Sequence, residues 1–185
     1  MPSTVTRDDK GWSNAAEDRV ELVVPDHSWS QLFDLEAAAL RSVLGLPERL
    51  RLEHFGSTAV PNLRAKPIID ILLIHPNPHD WPSFIKPLEG LGYVFWAQNP
   101  RHDQMFFVKG MPPFGRRRTH HVHVRTPKDA EPELLFRDLL RADRAIAREY
   151  ERLKQNLAQR YPTDRDAYTS GKTEFVARAL GRHAV

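Results

Sequence analysis

Between Val20 and Arg125 short apolar runs are separated by polar turns, whereas from Pro132 onward apolar residues recur at helical spacing. Val20–Val24 reads as a short strand. Ser28-x-x-Gln31 has the form of a capping box, opening a helix whose Trp29, Leu32, Phe33, Leu40, Val43 and Leu44 share one face and which Gly45 and Pro47 end. Leu50–Phe55 is strand-like and runs into Gly56-Ser57, Ala59–Lys66 forms a crossover, and Pro67–Ile74 is the most apolar strand of the chain. After a turn at Pro76–Pro78, a helix is expected over Trp81–Leu91, stopped by Gly92. Tyr93–Trp96 and Gln104–Val108 follow as strands separated by Asn99-Pro100. Gly110–Arg117 is a loop, and Thr119–Arg125 is the last strand.

In the C-terminal part, Leu139, Ile146, Tyr150, Leu153 and Leu157 keep helical spacing with an interruption near Asp143. Thr163-x-x-Asp166 is expected to cap a final helix carrying Ala167, Tyr168, Phe175, Val176, Ala179 and Leu180. Residues 1–18 are polar and unpatterned, a disordered lead-in to a single domain over 19–185. This order predicts an α/β (α+β) fold, with some parallel strand pairs, later antiparallel ones, and a helical C-terminal region.

Composition narrows the function classes. With 41% hydrophobic and 28% charged residues the chain has the make-up of a soluble globular protein. No apolar stretch approaches the ~18 residues of a spanning helix, and the absence of cysteine leaves His, Asp and Glu as metal ligands. Both fit an expected cytoplasmic location without a membrane partner. A net charge of +3 favours anionic small molecules, while nucleic acid would call for a clustered basic stripe.

The candidate chemistry centres on Asp70, a carboxylate inside Ile68-Ile69-Asp70-Ile71-Leu72, where an unpaired charge is costly. It reads either as a ligand for Mg²⁺ or Mn²⁺ or as a salt-bridge partner of Arg64, Lys66 or a nearby histidine. Gly56 and Ser57 read either as a phosphate-gripping turn or as an ordinary loop with a capping serine. His121 and His123 alternate with His120 and so share a face. They form either a divalent-metal half-site, better suited to Zn²⁺, Mn²⁺ or Fe²⁺ than to Mg²⁺, or hydrogen-bonded histidines at a sheet surface. Lys66 and Arg118 would contact phosphate. Arg116 and Arg117 default to solvated charge, and Tyr93, Phe95, Trp96, Phe106 and Phe107 to core.

The run Glu53-His54-Phe55-Gly56-Ser57 through Lys66-Pro67-Ile68-Ile69-Asp70-Ile71 resembles the signature of the GrpB-like family of the nucleotidyltransferase superfamily. Val20–Asp26, Trp29, Gly90–Tyr93, Arg118–Val124, Leu135–Arg141 and Tyr150, Leu153-Lys154, Tyr161-Pro162 and Tyr168 extend the resemblance over about Val20 to Leu180. It implies a mixed sheet packed against helices, a nucleotide or phosphorylated metabolite as ligand, and a divalent metal. If the protein is active, the reaction would be transfer of a nucleoside monophosphate to an acceptor, with Asp70 catalytic. Active nucleotidyltransferases carry a second carboxylate two residues further along this strand, where this chain has Leu72. A second metal would need Glu53, Asp103 or a histidine from elsewhere. Related domains fused to dephospho-coenzyme A kinases imply a second possibility, a non-catalytic binding or assembly module. A third is a His/carboxylate metal-dependent hydrolase.

Overall fold

The computed structural model describes residues 19–45, 50–99, 101, 103–112 and 114–182. The expected N-terminal lead-in, Pro47 and Pro100 lie outside them. Helix α1 (Ser28–Leu44) is followed by β1 (Arg51–Phe55), a single 3-10 turn (Ser57–Ala59), β2 (Ile69–Ile74), a longer 3-10 segment (Pro78–Phe84), α2 (Ile85–Gly90), β3 (Tyr93–Phe95), β4 (Met105–Lys109) and β5 (His120–Arg125). Four helices complete the chain: α3 (Pro127–Ala142), α4 (Arg144–Arg160), α5 (Arg165–Ser170) and α6 (Thr173–Arg182).

The five strands form one sheet in the order β1-β2-β5-β4-β3. β2 and β5 are parallel, and every other neighbouring pair is antiparallel. The parallel pair exists because the chain leaves β2, builds the β3–β4 hairpin, and returns to β2's far side. This is the mixed α+β architecture that the sequence predicts.

Strand alternation gives the sheet two unlike faces. Leu52, Ile69, Ile71, Leu73, Phe107, Val122 and Val124 point into the main core, against Trp29, Ala37 and Leu40 of α1 and Leu88 of α2. The opposite face carries Asp70, Leu72, His121 and His123. Here Leu72 and Ile74 are covered by Ala130 and Leu134 of α3. Beyond that, α3, α4 and α6 bury Leu140, Tyr150, Phe175 and Ala179 against Val60 and Leu63, so the helical region packs on the segment joining β1 to β2.

Several local expectations are corrected. Val20–Val24 forms no strand; Val23 makes an isolated antiparallel bridge to Ala65. Ser28 does not cap α1, because the helix starts at that residue and the Asp26 carboxylate instead accepts its N–H at 2.8 Å. Leu32 and Val43 are exposed, on the flank of the buried stripe that runs through Trp29, Glu36, Ala37 and Leu40. The segment expected as one helix over Trp81–Leu91 is 3-10 for its first half, where the Asn77 side chain caps it and Pro82 lies inside. Helix α3 begins before Pro132, at Pro127, with Thr126 as N-cap. The final helix is two helices, capped by Asp164 rather than Thr163 and broken at Gly171, where a β-carbon would lie 2.5 Å from Leu157.

Candidate functional site

The site starts with the bend at the end of β1. Gly56 has φ +72°, and a β-carbon there would lie 2.7 Å from Oδ2 of Asp70, so glycine is needed for both conformation and space. The bend and the carboxylate are thus in direct contact. Thr58 pins the turn to the entrance of β2: its hydroxyl donates to the Ile68 carbonyl at 3.2 Å and so accepts from Nε2 of His54 at 3.0 Å. His54 stacks on Phe33 of α1 with 4.8 Å between ring centroids, and burial pushes its pKa down to about 4.

Asp70 stands opposite His121 across the parallel β2–β5 pair, and Leu72 stands opposite His123. His121 Nδ1 lies 2.9 Å from Asp70 Oδ1, and His123 Nε2 lies 4.0 Å from the same oxygen. The three residues form a group whose ligand atoms all fall within 4.8 Å of one another. Phe106 covers both imidazoles, with its centroid 5.0 Å from His121 and 4.6 Å from His123, and Phe55 meets His123 edge-on. Burial would raise the Asp70 carboxyl, but the His121 hydrogen bond and the positive field of His121, His123 and Lys66 outweigh it and hold the group at about 2. Burial drives His121 down to about 4 and His123 to about 3 against the pull of Asp70, so both rings are neutral at pH 7 and keep a lone pair for a cation.

Positive charge surrounds this group. Lys66 and Lys172 both lie over the Tyr168 ring, 5.2 and 4.6 Å from its centroid, and both feel the Asp70 charge. Lys154 is 1% exposed; its ammonium donates to Ser57 Oγ at 3.0 Å and to the Arg64 carbonyl. The Tyr150 hydroxyl lies beside Ser57 as well. Burial lowers Lys154 to about 7 and Lys172 to about 8, and carries Lys66 well below the ordinary lysine range, with Arg165 and Lys172 adding to its shift. Arg118 is close enough for its charge to disfavour protonation of both Lys66 and His121. Desolvation and crowding thus disfavour the charged form of all three lysines.

Of the residues singled out from sequence, the structure therefore gathers Gly56, Ser57, Lys66, Asp70, Arg118, His121 and His123. Glu53 is left outside: it pairs with Arg51 at 2.8 Å and Arg137 at 3.0 Å. Asp103 pairs with Arg101 at 2.8 Å on a half-exposed surface. Leu72 is fully buried among Ile74, Ala130, Phe55 and Leu134. Among the described residues, Asp70 is the one carboxylate in the candidate metal group. His120 faces the other way, as its alternation predicts, toward Glu36 at 3.9 Å, which also takes Lys109 at 2.8 Å. The sequence reading missed Lys154 and Lys172 as site residues. The signal for Lys154 was present: with Tyr150, Leu153 and Leu157 it occupies an apolar helix stripe, as anomalous there as Asp70 is in its strand.

The chain's relatives agree with the fold. The family model described as GrpB protein matches residues 19–182. A UPF0157 protein of Pseudomonas aeruginosa is 58% identical over 95% of this chain and 72% of its own. The glutamate-rich protein GrpB of Alkalihalophilus pseudofirmus is 34% identical over 87% of this chain and 94% of its own. The crystal structure of conserved protein GrpB from Enterococcus faecalis superposes with a TM-score of 0.75 at 33% identity, covering 88% of this chain and 99% of that one. Cid1 in complex with its short product ApU, a far more distant structure at 14% identity, gives a TM-score of 0.51 over 75% of this chain and 43% of its own. No described helix is long and apolar enough to cross a membrane. The chain belongs to the GrpB family and has a nucleotidyltransferase-like fold.

Proposed function

We propose that the chain binds a nucleotide or another phosphorylated small molecule at the cluster formed by Gly56-Ser57, Asp70 and the lysines of the helical region, together with a divalent cation. One observation carries this reading: a lone, ionised carboxylate touches a glycine bend while Lys66, Lys154 and Lys172 converge on the same place from separate elements. Gly56 would let a phosphate approach the backbone, and Ser57 with Lys154 would hold its oxygens. Lys66, Lys172 and Arg118 would offset the remaining charge. The cation would be held by Asp70 with His121 and His123, a donor set that fits a divalent ion, and would polarise the phosphate oxygens. With an acceptor bound, such a site would suit transfer of a nucleoside monophosphate, and the Cid1 likeness supports the fold that this chemistry needs.

A second reading, a non-catalytic binding or assembly module, is favoured by a different observation. Leu72 fills the second-acid position with fully buried hydrocarbon, and Glu53 is committed to Arg51 and Arg137. Thermal-shift titration with a panel of nucleotides and phosphorylated metabolites, with and without Mn²⁺, tests the shared claim. A rise in melting temperature that needs both phosphate and cation is expected, and flat melting curves across the panel would refute binding at this pocket. Product analysis with the tightest ligand then separates transfer from binding alone.

A further inference from the structure

We propose that Asp70, His121 and His123 form a one-ion site for a transition metal of the Mn²⁺, Fe²⁺, Co²⁺ or Zn²⁺ class, in place of the paired magnesium ions that a carboxylate pair would hold. The proposal deepens the reading of the pocket as a cation-dependent phosphate site and rests on that reading for its biological purpose, although its geometry stands alone.

The tautomer of His123 carries the argument. Gln104 Oε1 accepts from Arg125 Nε at 3.2 Å and Nη2 at 2.9 Å, so the amide orientation is fixed with its oxygen toward the guanidinium. The same oxygen lies 3.1 Å from His123 Nδ1, and an oxygen acceptor there requires that nitrogen to carry a proton. Nε2 of His123 is therefore a bare lone pair, and it faces Oδ1 of Asp70 across 4.0 Å. Two acceptors face each other at a distance too long for a hydrogen bond. A cation between them resolves the conflict. A ligating histidine whose other N–H is held by an oxygen is the usual outer-shell arrangement of a metal site.

The Asp70–His123 separation fits one ion. Two donors at about 2.1 Å from a metal lie about 3.0 Å apart at right angles and about 4.2 Å apart when opposite. The observed 4.0 Å between His123 Nε2 and Asp70 Oδ1 falls between these limits. His121 adds an independent sign. It is 8% exposed and its Nδ1–H donates to Asp70, so its Nε2 is a second bare nitrogen, buried without a hydrogen-bond partner among the described residues. Two imidazoles and one carboxylate suit borderline transition metals, whereas Mg²⁺ prefers oxygen donors. The position that would supply the second oxygen donor is Leu72, sealed in hydrocarbon.

The test uses untagged, chelator-treated full-length protein, titrated with Co²⁺ and followed by visible absorption and elemental analysis without any nucleotide. One Co²⁺ per chain is expected, displaced by Zn²⁺ but not by millimolar Mg²⁺. His123→Ala and Asp70→Asn should lose the absorption while keeping native circular dichroism. Gln104→Leu should weaken binding about 10–100-fold and Gln104→Glu, which keeps the acceptor, should retain it. Failure to retain Co²⁺, equal retention by folded His123→Ala, or displacement by Mg²⁺ as readily as by Zn²⁺ would each overturn the proposal. A nucleotide-induced thermal shift that is equally large in Mg²⁺ and Mn²⁺, with no Co²⁺ bound, would reject the histidine site while leaving the phosphate pocket standing.

Discussion

A single glycine and a single aspartate stand at the centre of the candidate site, and each is fixed by a physical conflict that another residue type would lose. Gly56→Ala would force a side chain into the left-handed region and against Asp70, costing about 1–3 kcal/mol. Urea unfolding should show that loss together with the disappearance of any ligand-induced shift. Asp70 was legible in the sequence because a carboxylate among isoleucines is costly, and strand periodicity put His121 and His123 on one face, although only the folded chain sets them beside Asp70. The disposition of Glu53 was not legible, because Arg137 of the distant helix α3 holds it away from the site, whereas Asp103 is taken by its near neighbour Arg101. Leu72 shows the same asymmetry. Its identity raised the question of a second acid, and only the packing of α3 over it showed that nothing polar takes its place.

At the scale of elements, β2 and β5 present the candidate metal ligands and the helical region supplies two of the lysines beside them. Lys154 sits on α4 and Lys172 in the break between α5 and α6, so two elements remote in sequence from Gly56 would complete the phosphate side proposed above. Lys154→Met should weaken binding of a phosphorylated ligand by at least about 10-fold, as expected for losing a charge-assisted contact worth about 1.5–3 kcal/mol. Its unfolding free energy should fall by no more than about 1 kcal/mol, because relief of the buried charge offsets the lost hydrogen bonds. A large parallel loss of stability would make Lys154 a structural strut instead. The α3–α4 junction gives a control away from the pocket: Asp143 accepts from the N–H groups of Ala145 and Ile146, and Asp143→Ala should cost about 1 kcal/mol in denaturant unfolding without changing ligand affinity. That break was visible in the apolar spacing. The starts of α1 and α5 were misplaced because cap-forming residues stand close together, and local sequence does not choose between Asp26 and Ser28 or between Thr163 and Asp164, while α3 starts five residues before Pro132.

Over the whole molecule, a mixed sheet separates a packed hydrophobic face from a face that holds the buried chemistry. The cost of that arrangement should appear in the pH dependence of folding. His54, His121 and His123 have native pKa values of about 4, about 4 and about 3, below the ordinary histidine value of 6.5, so the unfolded chain takes up protons that the native state refuses. Their contribution is complete above about pH 6.5 and is lost progressively as pH falls toward their native values. For His54, which faces Asp70, Asp34, Arg137 and Arg141, this amounts to about 2 kcal/mol at pH 5. Asp70 acts in a lower window, with stability present above the usual carboxylate value of 3.8 and lost as pH falls toward about 2. Unfolding free energy measured in urea should drop between pH 7.5 and 5, and a flat profile would contradict the burial of these rings. The sheet and its helical annex were readable from periodicity and from the GrpB resemblance. The strand order was not, since only the folded chain shows β5 inserted between β2 and β4.

The most direct measurement is calorimetric titration of the metal-free protein with a nucleoside triphosphate, with and without Mn²⁺, repeated on Asp70→Asn and Lys154→Met. Tight binding by the native chain that requires Mn²⁺, is abolished by Asp70→Asn and is reduced at least about 10-fold by Lys154→Met is the predicted result. Triphosphate binding of equal strength in all three proteins, indifferent to Mn²⁺, would place the ligand elsewhere and contradict the account.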